Sequence, residues 1–126
     1  MKIAATIARY LLGLVFTIFG LNGFLQFIPQ MSMPPQAVEF ITPLVQSHFM
    51  VFVFAVQLAG GLLLLVNQYV PLALTLLGPV IVNILLFHIL VAPAGLPLAL
   101  IVAVLWFILF YALRAAFSGL FLRRVG

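Results

Sequence analysis

"PLALTLLGPVIVNILLFHILV", residues 71–91, is an apolar run in which Thr75, Asn83 and His88 are the only polar side chains. A helix rises 1.5 Å per residue, so a run of about 20 residues reaches the roughly 30 Å of a bilayer's hydrocarbon core. That reading makes the segment a transmembrane helix. Working outward, three further stretches are apolar enough to span: about 5–28, 48–66 and 98–118. Hydrophobic residues make up 67% of the chain and charged residues 5%. Soluble domains are typically about 45–50% apolar, so the composition predicts an integral membrane protein. The expected fold is an all-α, antiparallel four-transmembrane-helix bundle, with residues 1–126 as a single domain.

The connections support that order. "NQY" at 67–69 and "APAG" at 92–95 are short, and short turns force sequential helices to pack antiparallel. Pro71 and Pro97 each open a helix with "PLAL"; proline is favoured at the first helical position, which explains the repeated letters without an internal repeat. The longer connection, Pro29 to Ser47, contains Val38, Ile41, Leu44 and Val45 at helical spacing around Pro43. It predicts a short amphipathic helix at the outer membrane surface. The first span begins like a signal peptide, with Lys2 and Arg9 before "LLGLVFTIFGLNGF", but no small-x-small cleavage site follows in "LQFIPQMSMPP". It reads as a retained span.

Every basic residue, Lys2, Arg9, Arg114, Arg123 and Arg124, flanks the start of the first span or the end of the fourth. By the positive-inside rule both termini face the cytoplasm, and the net charge of +4 reads as topological anchoring on anionic lipid, not as nucleic-acid binding. Small residues at helical spacing mark expected helix contacts: Gly20 with Gly23, Ala55 with Ala59, Gly60 with Gly61, and Ala112 with Ala116. Phe16, Phe19, Phe24, Phe27, Phe107 and Phe110 read as lipid-facing or packing residues, not as a cofactor box.

Polar groups inside hydrocarbon need partners, so the amides are expected to meet one another. Gln57 and Asn83 sit near the middle of the second and third spans, which predicts a direct hydrogen bond between them. Thr75, Pro79 and Asn83 share one helix face at i, i+4 and i+8, either as helix glue beside a proline or as a ligand-contacting stripe. His88 falls about 140° around the helix from Asn83. It lies near the outer end of its span, at a depth comparable to His48, Asn22 and Gln26. Two histidines and a distant Glu39 fall short of the usual metal ligand set, which leaves His48 and His88 as possible haem or chlorophyll-type ligands at most. Without cysteine there is no thiolate chemistry, disulfide or iron–sulfur cluster, and no carboxylate lies within a span. The sequence therefore leans away from catalysis and from proton-coupled transport.

Taken in order, "RYLLGLVFTIFGLNGFLQFIP", "GGLLLL", "VPLALTLLGPVIVNILLFH" and "APAGLPLA" resemble the DoxX-like family of small four-span bacterial membrane proteins. The resemblance covers nearly the whole chain. It implies a four-helix bundle in the bacterial inner membrane and a connection to quinone or sulfur redox chemistry, with Asn22, Asn83 and His88 at the family's polar positions. Three ionisable positions of the family pattern are neutral amides in this chain: Gln26, Gln57 and Gln68. The expected function is a non-catalytic accessory or structural subunit of a larger redox-linked membrane complex, in contact with lipid, quinone or pigment and with other membrane subunits. The alternatives are a quinone-linked oxidoreductase module using His88 and a small-solute transporter.

Overall fold

The computed structural model describes residues 2–26 and 33–124. Phe27 lies outside them. The described residues are helical and contain no strand: α1 (Lys2–Leu25), α2 (Pro35–Gln46), α3 (Phe49–Leu65), α4 (Val70–Leu90) and α5 (Leu96–Ala112). Short 3-10 segments, Pro93–Gly95 and Arg114–Phe121, precede and follow α5. Three stretches, Lys2–Leu25, Val70–Leu90 and Pro93–Ala112, are long and apolar enough to cross a membrane. α2 and α3 meet at a bend of 88° and pass that test only together. Among the described residues the candidate spans thus number three, or four if the bent pair forms one span.

The long helices make a closed ring of contacts, α1 with α3, α3 with α4, α4 with α5, and α5 with α1. Inside it Leu12, Phe16, Leu64, Leu74 and Leu77 are fully buried. Outside it Phe52, Leu90, Ile101 and Phe107 are all more than half exposed. Helices that are apolar on both faces suit a lipid surround better than water.

Glycines set how closely α1 approaches α3. A Cβ on Gly20 would lie 2.7 Å from the Leu58 backbone nitrogen, and one on Gly61 would lie 2.5 Å from that of Thr17. Gly23 faces Phe54, and Gly13 faces Leu65 and Gly61. Residue numbers therefore rise along α1 as they fall along α3. Gly60 in turn makes room for Leu77 of α4. The alanine pairs behave differently from expectation: Ala55 and Ala59 are exposed, because the buried stripe of α3 runs through Gln57, Gly60, Gly61 and Leu64, and Ala116, past the end of α5, is exposed as well.

The turns are specific. α3 ends with Asn67 in the left-handed region, φ 56°, and the Gln68 N–H donating to the Leu63 carbonyl at 3.0 Å, the pattern of a Schellman cap. The final helix stops earlier than the expected residue 118, at Ala112. Beyond it Arg114 donates to the Tyr111 carbonyl at 2.7 Å and lies over the Tyr111 ring. A basic side chain that takes up a last-turn carbonyl is a favourable helix end, so the chain leaves α-helical geometry there.

Candidate functional site

Three environments collect most of the polar side chains within the apolar helices. The first is the outward face of α4. Thr75, Pro79 and Asn83 share that face as their spacing requires, and all three are exposed. Thr75 Oγ1 donates to the Pro71 carbonyl at 2.9 Å, and Asn83 Nδ2 donates to the Pro79 carbonyl at 2.9 Å. Both are back-bonds to the residue four positions earlier, the usual resort of a polar side chain in a helix interior. Neither reaches the Thr75 carbonyl, whose usual N–H donor is missing at Pro79.

The expected bond between Gln57 and Asn83 is absent: Asn83 points away from the ring of helices, whereas Gln57 points into it and is 7% exposed. Sharing a depth is not enough when the two side chains occupy opposite sides of the α4 wall. Gln57 lies one turn before Gly61, which packs on Thr17. The Thr17 hydroxyl is buried, and among the described residues it has no hydrogen-bond partner.

The second environment is the end of α4 where α2 crosses. His88 is half-buried, its Nδ1 lies 3.0 Å from the Ala92 carbonyl, and its ring packs edge-on against Phe87. Phe87 also meets Phe40 of α2 at 5.8 Å between ring centres. The imidazole sits directly over Gly95, where a Cβ would come within 2.2 Å of it. With Nδ1 protonated, His88 ties the last turn of α4 to the loop into α5.

His48 is the exposed residue before α3, in the left-handed region at φ 62°. Gln26 also adopts a positive φ, 52°, just past the end of α1, with its N–H donating to the Asn22 carbonyl at 2.8 Å. Asn22 is half-buried within α1. Gln68 is exposed in the turn between α3 and α4. Among the described residues no group of three or more His, Asp or Glu side chains could hold a metal.

The third environment is the opposite end, where the start of α1, the turn between α3 and α4 and the end of α5 come together around one cleft. Here Arg9 donates to the Leu64 and Leu65 carbonyls, the latter at 3.4 Å, and lies over the Tyr10 ring. Arg9 therefore closes the last turn of α3 as well as carrying charge. Arg123 and Arg124 are exposed.

Trp106 is a packing residue that spacing alone did not single out. Its indole N–H donates across the interface to the Leu74 carbonyl at 3.0 Å, and its ring stacks on Phe110 at 5.1 Å. Its signal was in the residue type, because a buried indole N–H needs an acceptor. Comparison with family models, with curated proteins and with solved structures finds no match for this chain.

Proposed function

We propose that the chain is a DoxX-like, antiparallel four-span bundle of a bacterial inner membrane, acting as a non-catalytic accessory subunit of a larger redox-linked membrane complex. The observation that carries this reading is the outward polar face of α4. Asn83 spends one N–H on its own helix, and among the described residues its Oδ1 accepts no hydrogen bond. An unsatisfied amide in hydrocarbon costs several kcal/mol, and a hydrogen bond to a neighbouring helix returns about 0.6–2 kcal/mol. A transmembrane helix of another subunit, bearing a hydrogen-bonding side chain opposite Asn83, satisfies the amide where lipid tails do not.

His88 supports the accessory role over quinone chemistry, since its Nδ1 is engaged by Ala92 and its ring is held against Gly95. In this reading α3 crosses by itself, its 17 residues at the short end of the spanning range, α2 lies along the outer surface, and the cleft end with Lys2 and Arg9, together with Arg114, Arg123 and Arg124, faces the cytoplasm. Purification in mild detergent followed by mass spectrometry of co-purifying proteins tests it. The expected result is a hetero-assembly that Asn83→Leu dissociates while the variant itself remains folded. Recovery of a free monomer from the native membrane, or an assembly indifferent to Asn83→Leu, contradicts it.

A further inference from the structure

We infer that the cleft at the start of α1 is a binding site for a phosphate-bearing anion, best matched by the headgroup of an anionic phospholipid. The cleft has a volume of about 520 Å³ and is bordered by Lys2, Arg9, Asn67 and Tyr69 on its polar side and by Leu109 and Leu113 on its apolar side. Two cations thus border one opening. The chain's single acidic side chain, Glu39, belongs to α2, which meets α4 at Phe87. Phe87 is 17 residues beyond Val70, which lines the cleft, or about 26 Å along the helix. No carboxylate side chain therefore neutralises Lys2 or Arg9 at the cleft.

Arg9 sharpens the requirement, because it is half-buried and only one of its terminal nitrogens is committed, to the Leu64 and Leu65 carbonyls. Carbonyls supply acceptors but no countercharge, and a half-buried guanidinium is stabilised by an anion that takes its remaining donors. Phosphate oxygens suit that planar donor set. The Thr6 hydroxyl, at the same opening, gives its proton to the Lys2 carbonyl at 2.9 Å, which leaves its oxygen as an acceptor for a headgroup hydroxyl. The mixture of a cationic rim with leucine side chains favours an amphipathic ligand over a free ion. Phosphatidylglycerol has both parts, a phosphodiester anion with a glycerol headgroup and acyl chains that continue along the apolar side.

Native mass spectrometry of the full chain in detergent tests this, with phosphatidylglycerol, phosphatidylethanolamine or inorganic phosphate added separately. The expected result is one phosphatidylglycerol retained per chain in preference to phosphatidylethanolamine, with Lys2→Gln weakening retention about fivefold. Lys2 is exposed and among the described residues no hydrogen bond of its side chain supports the fold, so this variant keeps the test independent of folding; Arg9→Gln, which also uncaps α3, is the second variant. The paired substitution Arg123→Gln and Arg124→Gln removes two charges outside the cleft and is expected to leave retention unchanged. Equal retention by wild type and Lys2→Gln, or an equal loss in the paired variant, overturns the site. Retention that survives excess inorganic phosphate assigns the occupant to lipid, and full displacement by inorganic phosphate overturns that assignment.

Discussion

Gly61 and Gly20 hold α1 and α3 at backbone contact, and neither has room for a methyl group. The atoms in the way are backbone nitrogens, 2.5 Å and 2.7 Å from the respective Cβ positions, which cannot rotate aside. Gly61→Ala and Gly20→Ala should each destabilise the protein by about 1–3 kcal/mol through overpacking, read by equilibrium unfolding in mixed micelles. Gly119→Ala is the matched control, since nothing lies within 4 Å of its Cβ position. His88→Ala should cost about 1 kcal/mol as a lost cap of the α4 loop. An unchanged unfolding midpoint would remove that structural role. The glycine contacts were legible from residue type and helical spacing. The direction in which Asn83 points was not, because α4 is apolar all round and its periodicity marks no inward side. Spacing placed Thr75, Pro79 and Asn83 on one face correctly, yet only packing against α3 and α5 turns that face outward.

The corner between α2 and α3 is made by one residue in an unusual conformation. His48 is held in the left-handed region at φ 62°, immediately before the first turn of α3. A β-branched side chain is poorly accommodated there, so His48→Val should lower stability by about 1–2 kcal/mol, whereas His48→Gly should be tolerated or mildly stabilising. Thermal unfolding of the two variants separates a conformational role for His48 from a ligand role, which would make both equally damaging to function and neither to stability. The elements themselves were largely visible in the sequence: the turn at 67–69, the break at 92–95 and a short helix in the connection before α3, although Pro43, which reads as a breaker, lies inside that helix. The end of the last helix was misplaced, since the apolar letters run on past Ala112 and hydropathy does not register Arg114 turning back onto the Tyr111 carbonyl. α3 is also shorter than the expected span, with 17 residues, or about 26 Å.

Across the whole molecule, charge and chemistry separate along the helix axes. Lys2 and Arg9 border the cleft at one end, with the end of α5 beside them, and α2 with Glu39 crosses at the other. Because the chain lacks cysteine, single substitutions report sidedness cleanly. In intact cells Glu39→Cys should react with a membrane-impermeant maleimide, and Arg124→Cys should react only after the membrane is opened. The reverse pattern would invert the proposed topology. The charge distribution that predicts this was fully readable from the sequence, while the cleft it builds was not, because Arg9, Asn67 and Leu113 are brought together only by the packing of α1 against α3 and α5. The most direct measurement places a photo-reactive amino acid at Asn83, and in parallel at buried Ala103, in the native membrane. A protein adduct from position 83 alone is the predicted result. Lipid adducts only, or the same adducts from both positions, would contradict a subunit that docks through the outward face of α4.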